Sequence, residues 1–160
     1  MLVWKALKDL AQLAPQYAHL EKTASEIKDA IMTHCVQKDA VGKPYFGWSI
    51  DLNGSHDVYD EPPGSLQLLP LFDFCSPTDE IYHNTVAMIR SPEYKYSFAN
   101  SPINEIGCPH APHPWFLSLA HSLLCGRVEH CRAILEKISM GNGIACESVD
   151  EVCLLYTSPS

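Results

Sequence analysis

Three groups of polar residues in this sequence could do chemistry, and the first is an acidic pair. Asp60 and Glu61 stand directly before the Pro-Pro-Gly stretch at 62–64. Proline suits the first turn of a helix, so the pair would lie at the positive end of a helix dipole. Two interpretations are open. The acids cap the helix, or they bind a sugar's hydroxyl groups, since carboxylates accept several hydrogen bonds and Trp48 and Tyr59 could supply aromatic faces.

The second group lies in IGCPHAPHPW, residues 106–115, where three prolines stiffen the approach to an apolar helical run. In one interpretation, His110 and Trp115 line a polar cleft. In another, one histidine caps the helix and the other lies at the surface. A zinc site is a third interpretation, although the spacing matches no known ligand motif. Its ligands would be Cys108, His110 and His113, with His121 or Cys125 as the fourth.

The third group centres on Glu147 in GIACESVDE, residues 143–151. Because apolar Ile144 and Ala145 precede it, we expect Glu147 to be partly buried. A partly buried carboxylate suits general acid–base catalysis. The alternative is an ordinary cap at the start of a helix.

Composition excludes several classes of function. The net charge is −8 and no basic run occurs, which argues against a nucleic-acid partner. No apolar stretch approaches about 20 residues, so we expect no membrane span, and the N-terminus lacks the order of a signal peptide. The seven cysteines are odd in number and form no CxxC pair, which favours a reduced, cytoplasmic compartment. Phosphate-binding and serine-hydrolase motifs are absent from the sequence.

Apolar periodicity predicts a mainly α-helical protein of one domain. The turn signal Asn53-Gly54 predicts a short β-hairpin over 45–59, and Ser76 is the predicted N-cap of a helix that starts at Pro77. Prolines and aromatic residues without a clear period predict a long loop over 91–112. The predicted helices cover residues 2–13, 16–36, 63–72, 77–90, 113–125 and 127–138. Helix pairs joined by long loops are compatible with a helical toroid.

The order of three motifs resembles glycoside hydrolase family 125, the metal-independent exo-α-mannosidases. Members of that family carry three motifs in order: an acidic, Pro-containing segment leading into a Ser-Leu-rich helix, a Gly-x-Pro-His-x-Pro segment before an early Trp, and a Glu-Ser after a Gly-containing turn. In this sequence the three motifs are matched by YDEPPGSLQLLPLFDF, IGCPHAPHPW and GIACESVDE. The similarity runs from about residue 15 to residue 151. The resemblance implies part of an (α/α)6 toroid that needs no cofactor or metal and has its active site at the loop-bearing end.

The resemblance also implies roles for individual residues. Inverting glycosidases pair a general acid with a general base that activates water, and Glu147 matches the position of the base. Asp60 and Glu61 match the acids that hold the terminal sugar. The same pocket would include Ser65, His110 and Trp115. The expected substrate is terminal α-linked mannose, with α-1,6 as the expected linkage. The family's general acid has no counterpart in this chain, and Cys146 stands where the family usually has His.

Two other functions remain open from the sequence. One is another six-hairpin carbohydrate enzyme, glucoamylase-like or phosphorylase-like. The other is a non-catalytic helical interaction module, which the absence of a fixed-period repeat weakens. We expect residues 1–151 to be a C-terminal fragment of a catalytic domain and residues 152–160 to be a non-native tail. Half a toroid should expose apolar helix faces where the other half would pack.

Overall fold

The computed structural model describes residues 1–57, 65–109, 112–139, 143 and 147–150. These residues form five α-helices and four short strands, which confirms a mainly helical protein. None of the described helices is long and apolar enough to cross a membrane. The elements are α1 (Leu2–Leu13), α2 (Leu20–His34), β1 (Val36–Lys38), β2 (Pro44–Phe46), β3 (Ser49–Ile50), β4 (His56–Asp57), α3 (Glu80–Ile89), α4 (Phe116–Leu124) and α5 (Val128–Leu135).

The chain forms two compact units. The described residues of the first are 1–57 and 65–85, and those of the second begin at 86. In the first unit α1 packs against α2, and Phe74 lies at the centre of the core. The ring of Trp4 meets Phe74 edge-on at 5.1 Å between centroids, and Phe46 meets it at 5.9 Å. Lys28 Nζ donates to the Phe74 carbonyl at 2.8 Å, which ties α2 to the same residue.

Two β-hairpins follow α2, where the sequence predicted one. The predicted hairpin is confirmed as β3–β4, with Ser49 opposite Asp57 and Ile50 opposite His56. Its turn is a five-residue loop in which Asp51 Oδ1 accepts from two backbone N–H groups. The other hairpin, β1–β2, was not predicted; it begins at Val36, the last residue of the predicted helix over 16–36. Helix α2 ends at His34 because the backbone from Val36 onward bonds to β2 instead.

Two predicted helices differ from the observed elements, and side-chain caps mark where the observed elements begin. The helix predicted over 63–72 is wrong in its described part: a 3-10 turn spans Leu66–Leu68, and Ser65 Oγ caps it by accepting from Gln67 N. The next helix begins at Glu80 rather than at residue 77. Asp79 Oδ1 accepts from Tyr82 N at 3.1 Å, so Asp79, not Ser76, caps α3. Ser76 caps the preceding turn, where its Oγ accepts from Thr78 N.

The second unit has its core between α4 and α5. Both helices are shorter than predicted, and Gly126 at φ +81° ends the turn after α4. A β-carbon is disfavoured at that angle, so glycine suits the position. The predicted loop is confirmed over 91–109, where no helix or strand forms. The core side chains are Ile103, Leu119, Cys131, Ile134, Ile138 and Val149.

Candidate active site

Four short segments of the second unit lie side by side and hydrogen-bond through their backbones; we call them the ladder. In order across the ladder they are residues 96–98, 105–107, 114–116 and 147–149. Antiparallel bridges join Ser97 with Ile106 and Trp115 with Ser148. Trp115 N donates to the Ile106 carbonyl at 2.9 Å, which links the two inner segments. The ladder therefore brings residues far apart in the sequence, such as Pro114 and Val149, into direct contact.

Glu147 lies in the last segment of the ladder, beside the start of α4. Phe116 N donates to the Glu147 carbonyl at 3.0 Å, and Val149 N donates to the Pro114 carbonyl at 3.0 Å. These bonds hold the backbone on either side of Ser148. The predicted partial burial of Glu147 is wrong, because its side chain is exposed. Burial begins one residue later, where Ser148 is covered and Val149 joins the core of the unit.

A hollow of about 350 Å³ opens beside Glu147. Its other walls are apolar and come from the N-terminal part of α4. The residues that line it are Trp115, Phe116, Leu117, Ala120 and Glu147. The volume is that of a small-molecule site, and one carboxylate at an apolar wall is the kind of polar group that orients a ligand. Trp115 is 8% exposed, so most of its indole is packed within the wall.

A buried carboxylate, Glu105, lies beneath the ladder. Arg90 Nη2 lies 3.1 Å from Glu105 Oε2, and His130 Nε2 donates to Oε1 at 2.7 Å. Two hydroxyls of α4 also donate to it, Ser118 Oγ at 2.5 Å and Ser122 Oγ at 2.7 Å. We call these five residues the Glu105 cluster. The partners of Glu105 come from three places: Arg90 directly follows α3, the two serines lie on the inner face of α4, and His130 lies on α5.

The electrostatics of the cluster keep Glu105 ionised. Burial alone would raise the pKa of its carboxyl. The hydrogen bond from His130, the positive charge of Arg90 and the two serine hydroxyls outweigh burial and lower the pKa to about 2. His121, next to Ser122 on α4, is also buried, and burial lowers its pKa. Its Nδ1 has no hydrogen-bond partner among the residues that the structure describes.

The structure brings together some of the predicted site residues. Trp115 and Glu147 line the same hollow in the second unit. Ser65 lies in the first unit, where it is buried and lines a separate hollow of about 250 Å³ with Trp48. The remaining predicted site residues, Asp60, Glu61 and His110, lie outside the described residues.

The zinc interpretation involves residues that the structure describes only in part. Cys108 and His121 are buried, and His113 is half-buried. Among the described residues, no three His, Cys, Asp or Glu side chains are grouped so that they could hold a metal ion. His110 lies outside that part of the chain.

Sequence reasoning missed the Glu105 cluster, although a signal for it was present. Ser118 and Ser122 recur four residues apart within an otherwise apolar helix, on either side of His121. Residues at i and i+4 share a helix face, so this spacing indicates a polar stripe. What the stripe faces was not readable, because Arg90, Glu105 and His130 come from other elements.

Comparison with known proteins shows the family. The sequence model described as metal-independent alpha-mannosidase (GH125) matches residues 1–153, nearly the whole chain. This chain belongs to glycoside hydrolase family 125. The resemblance seen in the three sequence motifs is thereby confirmed. No curated protein sequence matches the chain.

A solved structure agrees with this family 125 assignment at the level of the fold. It is a Streptococcus pneumoniae protein, described among metal-independent alpha mannosidases and solved as a non-productive substrate complex with α-1,6-mannobiose. The TM-score is 0.78 at 20% sequence identity, and the match covers 93% of this chain. The chain spans 38% of that protein's length.

Proposed function

We propose that this chain belongs to the catalytic domain of an inverting exo-α-mannosidase that removes terminal α-linked mannose without a metal ion. The observation that carries the proposal is the placement of Glu147 and Trp115 at one hollow. Membership of family 125 supports the reaction class. The α-1,6 linkage is proposed because the Streptococcus pneumoniae protein was solved with α-1,6-mannobiose.

In the proposed mechanism Glu147 is the general base. An exposed carboxylate at the side of an apolar hollow can accept a proton from a water molecule that attacks the anomeric carbon. The leaving oxygen is protonated by a second carboxylic acid, about 6.5–9.5 Å away in enzymes of this stereochemistry. No residue of this chain is assigned to that role. The terminal sugar is held by Asp60, Glu61, His110 and Trp115, whereas Ser65 lines the separate hollow of the first unit.

We further propose that the helices form part of an (α/α)6 toroid. The outward face of α4 supports this, because it is apolar: Leu123 and Leu124 are 50% and 57% exposed. The inward face of the same helix carries Ser118, His121 and Ser122. A helix with leucines outward and serines inward would bury its apolar side if further helices packed there.

A cytoplasmic location is proposed from the cysteines. Cys35, Cys75 and Cys131 are thiols rather than disulfides, and burial raises the pKa of Cys75 to about 11, which keeps that thiol protonated. Thiols in this number are typical of a reducing compartment.

The decisive experiment is turnover of aryl α-mannosides and α-1,6-mannobiose by protein expressed from the complete reading frame that contains this sequence. Glu147→Gln should lower kcat about 10²–10⁴-fold, because the base that activates water is lost. NMR of the first product should show the inverted anomer. The matched control is Glu129→Gln, which removes an exposed carboxylate from α5. Turnover by Glu147→Gln within twofold of the control would remove Glu147 from the mechanism.

A further inference from the structure

None of the five residues of the Glu105 cluster is among the described residues that line the hollow. Glu105 is nevertheless the most enclosed charged residue that the structure describes. The side chain of Glu105 is fully buried, and that of Arg90 is 10% exposed. A buried charge is costly unless its partners keep a fixed geometry. The cluster therefore resists displacement of any element that contributes a partner to it.

A short path of contacts leads from this cluster to Glu147. Ser118 Oγ donates to Glu105 and also accepts from Ile106 N at 3.3 Å. The carbonyl of Ile106 accepts from Trp115 N at 2.9 Å. The next residue, Phe116, donates its N–H to the Glu147 carbonyl at 3.0 Å. One hydroxyl group thus connects the buried charge, the ladder and the start of α4.

We propose that Glu105 and Ser118 are positioning residues, which lock the inner face of α4 onto the ladder and thereby hold the backbone of Glu147 beside the Trp115 hollow. The proposal rests on the role proposed for Glu147. It explains why α4 turns serines inward, since an apolar inner face could not satisfy the Glu105 carboxylate or the Ile106 N–H. Support of this kind is needed because a small misplacement of a catalytic group is costly in rate.

The test compares Ser118→Thr with Ser118→Val. The two side chains have nearly the same shape and fill the buried position equally, but only threonine retains the hydroxyl that bonds Glu105 and Ile106. Neither variant removes the buried charge, so both are expected to fold. Hydrogen exchange is followed by mass spectrometry in peptides covering 114–117 and 147–150, with peptides from α1 as reference. Steady-state kinetics are measured on the same protein.

We expect the valine variant to exchange about five- to tenfold faster than the threonine variant in both peptides, the change that loss of one hydrogen bond allows. Exchange in α1 should be unchanged. The kcat of the valine variant should fall about tenfold to a hundredfold below that of the threonine variant. KM should stay within twofold, since the hollow itself keeps its lining residues.

Exchange rates within twofold of each other in the two variants would overturn the proposal. Faster exchange with an unchanged kcat would overturn it equally, because the ladder would then move without consequence for Glu147. If the unmodified protein turns over no mannoside, that result counts against the proposed function. The exchange rates alone then decide whether Ser118 positions the Glu147 segment.

Discussion

At the scale of single residues, the chemistry of this protein divides between an exposed carboxylate and a buried one. Glu147 stands at the surface beside an apolar hollow, where water and ligand can reach it. Glu105 is enclosed by Arg90, His130 and two serine hydroxyls. The same functional group thus lies in two different environments, because Glu147 is exposed at the surface and Glu105 is committed to internal hydrogen bonds.

The pH dependence of stability should report the Glu105 cluster. Its folded pKa of about 2 lies below the ordinary 4.5, so ionised Glu105 stabilises the fold above about pH 4.5. This stabilisation, at most about 3 kcal/mol, is lost as the pH falls through 4.5 toward 2. We expect Glu105→Gln to be less stable at pH 7 and to lack this part of the acid-dependent loss.

The measurement is chemical denaturation followed by circular dichroism at several pH values between 2.5 and 7. Glu129→Gln, an exposed carboxylate on α5, is the control and should keep the wild-type slope. Parallel stability curves for Glu105→Gln and wild type below pH 4.5 would contradict the assignment. The groups that act on Glu105 in this range are Arg90, Ser118, Ser122 and His130.

At the scale of elements, short-range hydrogen bonds decide where helices begin. Two candidates, Ser76 and Asp79, precede α3, and both have side chains that suit an N-cap. The structure assigns them separate tasks: Ser76 bonds Thr78 N in the turn, and Asp79 bonds Tyr82 N in the helix. The start of α3 matters for the first unit because Thr85, farther along the helix, accepts from Phe46 N of β2.

Substitution of the two candidate caps should separate their roles. Asp79→Ala should lower the free energy of unfolding by about 1 kcal/mol, because a helix N–H loses its acceptor. Asp79→Asn keeps an acceptor oxygen and should retain most of that stability. Ser76→Ala should change stability by less than about 0.5 kcal/mol. Chemical denaturation measures all three, and a larger loss at Ser76 than at Asp79 would show that α3 begins earlier.

At the scale of the whole molecule, the apolar outer face of α4 is the feature that needs a partner. Leu123 and Leu124 are exposed on a helix whose polar residues point inward. In the proposed toroid this face would be covered, whereas in the 160-residue chain it lies open to water.

The same substitution should therefore act differently in two lengths of the protein. In the 160-residue chain, Leu124→Ser should reduce binding of a hydrophobic dye and leave stability within about 0.5 kcal/mol. In protein from the complete reading frame it should cost about 1.5–3 kcal/mol, the value of burying one leucine. Val41→Ser, at an exposed loop position in the first unit, is the control. Equal effects in both lengths would show that nothing covers α4.

The sequence by itself determined what depends on neighbours along the chain. Periodic apolar residues placed α1 at its observed bounds, and Asn53-Gly54 marked the turn of β3–β4. The order of three motifs identified the family, since the motifs are contiguous stretches. The helix and the turn depend on contacts within a few residues, and each family motif is a short contiguous stretch, so a local sequence pattern is enough to recognise them.

Only the tertiary structure decided which distant groups meet. The sequence indicated neither the strand pairing of Val36 with Phe46 nor the exposure of Glu147. The partners of Glu105 are 13 to 25 positions away, on three different elements. A carboxylate has the same local sequence pattern whether it is exposed to water or enclosed by four hydrogen-bond donors. The ionisation of Glu105 and its contribution to the stability of the fold follow from its enclosure. That enclosure is created by tertiary packing and cannot be predicted from any short stretch of sequence.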